Sequence, residues 1–441
     1  MDFLKKTNEW SFMLMLISLL FIFPYQGVSN GAGVPSAEDV AFGKAPLPTI
    51  EELTGGKVKE GDLIDKNNMD LVKDMLTEGQ IKCLQAGMVM RMANHKLKPL
   101  EGTPIGYNEL TEKNRGKAVL ASDAITVFYG KEGTLWPGGC PFPEPRSAEE
   151  VMANVRYGVI CDDVREVGWL DYNNKNGKTY KKAGFWIQFI WVNTRSVIPP
   201  LGAWPGYEDQ MYRKVQAMTS PLEVKGLGKF YIRYYDEVAK CDQGWYYHPK
   251  FKKTGRLEAG SWKTNSGGTD LTSSDGMGLQ DPLVDWSFKY LGTKYILHAE
   301  FISDTPLIDD NARPVKDMQY DYGEKFPRLG YAAIPMHVIE GIPVVRHVYG
   351  KKMLYILTFR YAKTGWWIPM MDAYDRQMAL WKHYSELSGH YDKEVHHAVS
   401  EGFCIWDLQS NHSTINWSNK KINIGLKPKD CTLKSLLAKG R

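Results

Sequence analysis

Apolar and polar residues alternate almost without a break between Met353 and Leu387, in the last third of the chain. Residues two apart lie on the same face of a β-strand, so Ile356 points to one side of the predicted strand and Leu357 to the other. Turn signals around Gly365 and Arg376 divide the stretch into segments of strand length. The pattern predicts a meander of antiparallel strands with large aromatic side chains on one face. Such a face needs an apolar cover, either a helix or a ligand.

Composition supports a sheet-rich protein and argues against nucleic-acid binding. Aromatic residues make up 12% of the 441 residues, with 14 Trp and 24 Tyr. Aromatic side chains favour strands, and they also line apolar pockets. The formal net charge is only +4, and no run of five like charges occurs, so we expect no nucleic-acid partner. The length allows two or three domains, although a large sheet often remains a single domain.

The N-terminus reads as an export signal. Lys5 and Lys6 precede an apolar core at Phe12–Phe23, and small residues follow, which is the pattern of a cleaved signal peptide. We therefore interpret residues 1–31 as a signal peptide, with cleavage between Gly27 and Gly33, and expect a periplasmic protein. The alternative is a retained membrane anchor, but the apolar core falls short of the ~20 residues that a spanning helix needs.

The rest of the chain is predicted to contain one domain with short extensions. Residues 32–67 are rich in Gly, Pro and charged residues and predict an extended leader. Residues 68–412 form the predicted domain, and residues 413–441 a C-terminal tail. Helical spacing at Asp70–Asn94, with a break expected at Gly79-Gln80, and a capped helix at Ser147–Tyr157 supply the helices.

Strands are predicted from Glu166 to His412. Asn176-Gly177 is the strongest hairpin signal, and Gly184–Val192 is apolar on both faces, as in a central strand covered on both sides. Asn265–Pro282 is a polar loop that lacks the ligand rhythm of a calcium-binding EF-hand, so we expect it to be solvated. The predicted fold is α+β, with one large, strongly curved antiparallel sheet and the two helices on its concave face.

Six cysteines remain after the expected cleavage. None is in a C-x-x-C arrangement, so zinc-ribbon, thioredoxin-like and c-type haem sites have no support. An even number in an exported protein allows disulfides, and the pairs nearest in sequence are Cys140–Cys161 and Cys404–Cys431. Buried thiols are the alternative.

No catalytic or cofactor motif is present in the sequence. His383, His390, His396 and His397 lie close in sequence, but their spacing matches no zinc signature, so we interpret them as polar tips of strands and loops. Carboxylate pairs such as Asp162-Asp163 are common on turns and identify no general acid or base. We find no phosphate-binding loop or nucleophile elbow, and we expect no cofactor, metal or catalysis.

The order of several motifs resembles a known family. The motifs are LTEGQ (76–80), NRGKA (114–118), GGCPFPEPRSAEEVMANVRYG (138–158), DWSFKYLGTKY (285–295) and GWWIPMMDAYDRQMALWKHYSE (365–386). This series is similar to the exported bacterial family of unknown function often labelled outer membrane lipoprotein-sorting protein. Its members resemble enlarged Lol-type lipoprotein carriers, and the similarity runs from about Leu76 to about Asn411.

The resemblance implies an incomplete barrel wrapped around helices, with an apolar cavity that accepts acyl chains. It also implies traffic of lipid or another hydrophobic compound across the periplasm, beside an inner-membrane exporter of the resistance-nodulation type and an outer-membrane protein. The expected function is therefore a carrier without catalysis. Two alternatives stay open: a scaffold subunit of an envelope complex, and an enzyme that acts on hydrophobic compounds.

One strand face should line the cavity if the carrier hypothesis holds. The candidate residues are Trp186, Gln188, Ile190, Phe230, Ile232, Trp286, Phe288, Tyr355, Leu357 and Phe359. On the first of these strands the alternation leaves a second set open, Phe185, Ile187 and Phe189. The competing interpretation is that all these side chains form a closed core.

Overall fold

The computed structural model of the chain describes residues 33–258, 263, 266–299, 308–313, 320–321, 326–327, 329–362, 368–387, 389–392 and 397–439. The expected signal peptide and the turn around Gly365 lie outside these residues. From Pro35 onward the chain forms one compact unit. Within the described part, every helix is too short or too polar to cross a lipid bilayer.

Strands dominate the fold, and the helices are short. The α-helices are α1 (Ala37–Ala41), α2 (Ile50–Leu53), α3 (Glu78–Gln85), α4 (Ile105–Asn114), α5 (Ala148–Tyr157) and α6 (Leu433–Lys439). The strands are β1 (Leu63–Ile64), β2 (Met90–Met92), β3 (Ala118–Leu120), β4 (Val127–Tyr129), β5 (Asp163–Asn173), β6 (Thr179–Trp191), β7 (Gln210–Ser220), β8 (Gly228–Tyr234), β9 (Gln243–His248), β10 (Lys253–Leu257), β11 (Trp286–Ala299), β12 (Tyr320–Asp321), β13 (Phe326–Pro327), β14 (Gly330–Pro343), β15 (Lys351–Leu357), β16 (Met370–Tyr374), β17 (Leu380–Glu386), β18 (Gly389–Asp392), β19 (His397–Ser400), β20 (Gly402–Asp407) and β21 (His412–Ile422).

Fifteen of the described strands form one large curved sheet. Its order is β1-β2-β14-β15-β16-β17-β20-β21-β5-β6-β7-β8-β9-β10, with β11 also paired to β14. The described pairings in this sheet are antiparallel except that of β2 with β14. The first and last strands of this order are not paired to each other, so the sheet does not close into a barrel. The predicted α+β class with a large curved sheet is confirmed.

The strongest local signals of the sequence correspond to observed elements. Asn176-Gly177 lies in the turn between β5 and β6, where the Asn174 side chain accepts hydrogen bonds from the Asn176 and Lys178 amides at 2.9 and 3.2 Å. Gly177 has a φ of +77°, a conformation that glycine adopts at little cost. Strand β6 is paired on both sides, as its doubly apolar sequence predicts.

The residues expected to form a C-terminal tail instead supply an interior strand. Strand β21 pairs with β20 on one side and with β5 on the other. It therefore connects the strands of the C-terminal meander to those of the β5–β10 half. Downstream of it, α6 packs against β7 and β8, so the predicted domain boundary at residue 412 falls inside the sheet. The predicted leader contains α1, α2 and β1 rather than a fully extended chain.

The two faces of the sheet carry separate apolar cores. Tyr384 and Ile405 point to one face, here called the cavity face, and pack with Val151 of α5. Trp406 points to the opposite face and packs with Leu84 of α3. The expectation that both helices cover one concave face is therefore wrong. Along the central strands, large apolar side chains point in turn to one face and then to the other, so each face needs its own cover.

The predicted helix at 70–94 divides at a different position from the one expected. A 3-10 helix at Met69–Met75 ends before Thr77, which caps α3 in a capping box with Gln80. After α3 ends, Gly87 takes a φ of +105° and the chain enters β2. The expected break at Gly79-Gln80 lies inside the first turn of α3. The prediction for α5 is confirmed, with the Ser147 side chain accepting a hydrogen bond from the Glu150 amide at 3.2 Å.

Neither cysteine pairing suggested by the sequence is formed among the described residues. Cys140 and Cys161 lie in two different core clusters, and so do Cys404 and Cys431. Burial raises the pKa of the Cys140 and Cys161 thiols well above its usual range, which keeps both thiols protonated and unreactive.

Candidate ligand-binding cavity

A partly enclosed cavity of about 320 Å³ lies on the cavity face, where β5 to β8 meet β17, β20 and β21. The loop at 266–280 covers it. Its walls are mostly apolar and include Leu170, Phe185, Ile187, Phe189, Trp191, Met218, Leu227, Met277, Tyr384 and Phe403. Concave sites of this size with apolar walls and a few polar groups are typical of small-molecule binding.

The floor of the cavity changes from polar to apolar along its strands. Lys214 on β7 is opposite Phe189, and Met218, four residues further along the strand, is opposite Phe185. On the neighbouring strand β8, Lys229 is paired with Gln216 and also lines the cavity. Lys214 therefore lies at one end of the floor and Lys229 lies midway along it, while the end around Met218 and Phe185 is apolar.

Lys214 is a buried cation that forms no ion pair with a described carboxylate. Its side chain lines the cavity, and the residue is only 8% exposed. Its Nζ donates a hydrogen bond to Gln280 Oε1 at 3.3 Å and lies 5.3 Å from the centre of the Phe189 ring. Burial lowers the pKa of Lys214 to about 8 because the charged form loses its hydration.

The loop over the cavity is held by buried ionic groups, which corrects the expectation of a solvated loop. Lys352 Nζ lies 3.0 Å from Asp275 Oδ1, and both side chains are fully buried. Tyr349 donates from its hydroxyl to Asp275 Oδ2 at 2.7 Å. Burial opposes ionisation of Asp275, but the nearby Lys352 holds the pKa of the carboxyl below its ordinary value.

Further contacts fix the end of the same loop. The Asp281 carboxylate accepts hydrogen bonds from Ser274 and from Trp286 Nε1, the latter at 3.2 Å, and lies 3.5 Å from His347 Nε2. The Arg233 guanidinium donates a hydrogen bond to the Gln280 carbonyl at 2.6 Å and another to the Asp242 carboxylate. These contacts attach the loop to strands β8, β11 and β15 of the sheet.

None of the ten candidate lining residues lines this cavity. Trp186, Gln188 and Ile190 point to the opposite face of β6, and Phe230 and Ile232 lie with Ile190 in the core under α6. The alternative set, Phe185, Ile187 and Phe189, does line it. The alternation of β6 was predicted correctly, but it does not indicate which face meets the cavity.

The remaining candidates belong to closed cores. Tyr355 and Leu357 are buried on the opposite face, together with Val40 of α1. Trp286, Phe288 and Phe359 lie in or against the core around α5, as the closed-core interpretation expected. Sequence reasoning missed Lys214, Gln280, Met277, Tyr384 and Phe403. A lysine that alternates with apolar residues in a strand paired on both sides is the signal that would have pointed to Lys214.

Two motifs of the resemblance meet on the opposite face. Asp372 accepts hydrogen bonds from His383 Nδ1 at 2.6 Å and from the Gly79 amide in the first turn of α3 at 3.0 Å. The His383 ring stacks on Trp406 at a centroid distance of 5.5 Å. His383 is therefore a buried structural residue and not an exposed polar tip. The contact anchors the N-terminus of α3, where an anion is favourable.

Gly79→Ala is expected to lower the free energy of unfolding by about 1–3 kcal/mol, the usual cost of overpacking. A methyl group at this position would overlap the Asp372 carboxylate and the His383 ring. Replacing glycine by alanine in an unconstrained helix stabilises by about 0.4–1 kcal/mol instead. Urea unfolding measures the sign, and Lys82→Ala on the exposed side of α3 is the control. A stabilised Gly79→Ala variant would contradict the packed contact.

The adjacent Asp162 and Asp163 also have structural roles. Asp162 accepts hydrogen bonds from the backbone amides of residues 196–198 at 2.7–2.8 Å. Asp163 accepts hydrogen bonds from those of residues 424–426 at 2.9–3.0 Å. Each carboxylate thus fixes one loop.

Of the four clustered histidines, His396 lies outside the described residues. The described residues contain no group of three or more His, Cys, Asp or Glu placed to hold a metal ion.

The fold and the site thus define the class of protein: an α+β protein with an open, curved sheet and a loop-covered apolar cavity. Residues 63–433 match the family described as "Protein of unknown function (DUF1329)", and the chain belongs to this family. The family resemblance of the sequence motifs is thereby confirmed. Comparison with curated proteins gives no match.

Three solved structures are similar to the chain at low sequence identity. A domain from Vibrio parahaemolyticus named for outer membrane lipoprotein sorting is 14% identical, with 62% of this chain and 91% of that chain covered and a TM-score of 0.42. A DUF1329 family protein from Desulfovibrio piger is 12% identical, with 63% and 92% covered and a TM-score of 0.43. A LolA superfamily protein from Nitrosomonas europaea is 11% identical, with 66% and 100% covered and a TM-score of 0.38.

Proposed function

We propose that the protein binds a lipid or another hydrophobic ligand in its cavity and carries it between the membranes of the cell envelope. The carrier is exported to the periplasm by the N-terminal signal and performs no catalysis. Its exchange partners are membrane proteins of the envelope, an exporter of the resistance-nodulation type and an outer-membrane protein. The observation that carries the proposal is the apolar cavity of about 320 Å³ beneath the loop at 266–280.

The size of the cavity suits a medium-length acyl chain. Its volume of about 320 Å³ is at the lower end of the range for small-molecule sites, about 300–1,000 Å³, which suits a chain on the order of ten methylene groups. Burying them contributes about 8 kcal/mol before other costs. Lost translational freedom and side-chain ordering offset a large part of this. The remaining affinity is moderate, which suits a carrier that must release its ligand.

The loop covers the cavity, as binding of a ligand requires, and this role needs no catalytic residues. It contributes small and polar residues as well as Leu271 and Met277 to the lining, and buried ion pairs attach it to the sheet. A binding site with an apolar floor and a cover of this kind needs no general acid or base. The carboxylates of the adjacent pair Asp162 and Asp163 accept hydrogen bonds from loop amides, in keeping with a structural role.

Ile187→Asp is expected to weaken binding of a fluorescent fatty-acid probe at least tenfold, because an unpaired charge in an apolar cavity is costly. Ile187 lines the cavity, whereas Val167 on the neighbouring strand points to the opposite face and is 50% exposed. Val167→Asp is therefore the matched control and should bind the probe like the unmodified protein. Titration of delipidated protein measures both, and circular dichroism checks the fold.

Two results would overturn the proposal. The first is the absence of saturable probe binding by the delipidated, folded protein. The second is an equal loss of binding in Ile187→Asp and Val167→Asp, since the probe would then occupy some other surface.

A further inference from the structure

The cavity contains a buried cation, Lys214, that forms no ion pair with a described carboxylate. Lys214 lies on β7 between Phe189 of β6 and Tyr231 of β8 in the strand register. Among the described residues, its Nζ donates a hydrogen bond to the neutral amide oxygen of Gln280 at 3.3 Å and lies 5.3 Å from the centre of the Phe189 ring. A buried charge without a partner is destabilising, whereas a bound anion at the same place would form a charge-assisted hydrogen bond.

A second lysine lies midway along the floor, in the residue row next to that of Lys214. Lys229 is half-buried, lines the cavity from β8, and its Nζ lies 3.5 Å from the hydroxyl of Ser273 in the covering loop. Burial lowers the pKa of Lys229, as it does that of Lys214. Hydroxyl and amide groups of the loop therefore lie beside two ammonium groups, a combination able to bind carboxylate or phosphate oxygens.

We propose that the ligand is an amphiphile with an anionic head group, held by Lys214 and Lys229, with its acyl chain along the apolar floor around Phe185 and Met218. This inference rests on the proposed function, because it concerns the chemistry of a ligand in the same cavity. The head group is a carboxylate or a phosphate monoester, and the experiment separates the two.

The other charged and titratable groups around Lys214 come from every wall of the cavity. They are Glu166 on β5, Lys229, Tyr231 and Arg233 on β8, Tyr246 on β9, Tyr384 and Glu386 on β17, and Lys420 on β21. The charge of Glu166 raises the pKa of Lys214, and the charges of Lys229 and Arg233 lower it, after the larger effect of burial. Glu166 thus competes with a ligand anion for the same ammonium group.

The experiment compares decanoate, decyl phosphate and decanol as competitors of a fluorescent probe on purified, delipidated protein. All three share one chain length and differ in the head group. We expect the preferred anion to bind about ten- to hundredfold more tightly than decanol, the range of a hydrogen bond to a charged group. In Lys214→Met this preference should fall at least severalfold while decanol binding stays, because only Lys229 then remains, and in Lys214→Arg the preference should persist. Glu166→Gln should bind the anion at least as tightly as the unmodified protein.

Raising the pH gives an independent readout. As the pH rises from 7 to 10, Lys214 loses its proton, so the affinity for decanoate should fall in the unmodified protein. The fall should be smaller in Lys214→Arg, because arginine keeps its charge. Decanol binding should change little in either protein.

Each outcome bears on one proposal. Equal affinities for decanoate, decyl phosphate and decanol would overturn the head-group inference and leave the hydrophobic cavity intact. The same holds if Lys214→Met weakens all three ligands alike, because the lysine would then act through the fold. If none of the three competes with the probe at any concentration below its micelle range, the proposed binding function itself fails.

Discussion

Lys352→Met should lower the free energy of unfolding by about 3–5 kcal/mol, the cost of removing one partner of a buried ion pair. The substitution keeps the size of the side chain but leaves the fully buried Asp275 carboxylate without its cation. It also removes the hydrogen bonds that Lys352 Nζ donates to Ser274 Oγ and the Gly278 carbonyl, both at 3.1 Å. Because these groups belong to the loop over the cavity, ligand binding should weaken together with stability.

The neighbouring residue provides the control for this prediction. Lys351 forms an ion pair with Glu340 at 3.3 Å, with both side chains 25% exposed. Pairs of this partly exposed kind contribute about 0–1 kcal/mol, so Lys351→Met should change little. Urea unfolding and probe titration of the two variants measure the difference. Similar stabilities for the two variants would show that the buried pair does not hold the loop.

A double variant separates the ion pair from the volume of the two side chains. Replacing Lys352 by Met and Asp275 by Leu removes both charges, and apolar replacements of buried pairs are often neutral. The double variant should therefore regain part of the stability that Lys352→Met loses. Its loop would still lack the hydrogen bond from the Tyr349 hydroxyl, so a full recovery of ligand binding is not expected.

Local signals in the sequence were sufficient to predict single elements. The Asn176-Gly177 turn joins two antiparallel strands that pair along their length, with one register shift close to the turn, and Ser147 caps the helix that follows it. In both places the residues that determine the structure are adjacent in sequence. The alternation of side chains along β6 could also be predicted from the sequence, because residues two apart share a face whatever the strand packs against.

Pairings between residues far apart in the chain could not be predicted from such local signals. Strand β21 has its partner β5 about 250 residues earlier in the chain, so its alternating sequence looked like a tail beyond the last hairpin. The acidic residues of the loop looked solvated because their partners lie on other strands, Lys352 on β15 for Asp275 and Trp286 on β11 for Asp281. A charged residue in a polar loop gives no local signal of burial.

The choice of cavity face failed for a related reason. β6 is apolar on both sides, with Trp186 and Ile190 pointing to one core and Phe185 and Phe189 to the cavity. Both sets are suitable for burial, and only the position of α5, α6 and the loop decides which set remains partly uncovered. The polar residues Lys214 and Gln216 on the next strand distinguish the faces, since a closed core seldom contains a lysine.

Phe359→Ala should cost about 3–5 kcal/mol of stability, the usual price of a large cavity in a closed core. Phe359 is 4% exposed and packs near Tyr107 at a ring distance of 6.4 Å. The same change at Phe185, which is 7% exposed but borders the cavity, should cost roughly half of this or less, because part of the space around its ring is already empty. Ligand binding should show the reverse order, with Phe185→Ala impaired and Phe359→Ala unchanged.

The comparison of these two phenylalanines tests the placement of the cavity directly. Urea unfolding of each variant gives the stability, and titration with a fluorescent fatty acid gives the affinity. The two side chains are of one type, are both buried and are replaced in the same way, but Phe359 faces a filled core and Phe185 borders the ligand space. Equal destabilisation with unchanged binding in both variants would mean that the space beside Phe185 closes in solution, and the carrier hypothesis would then lack a site on this face.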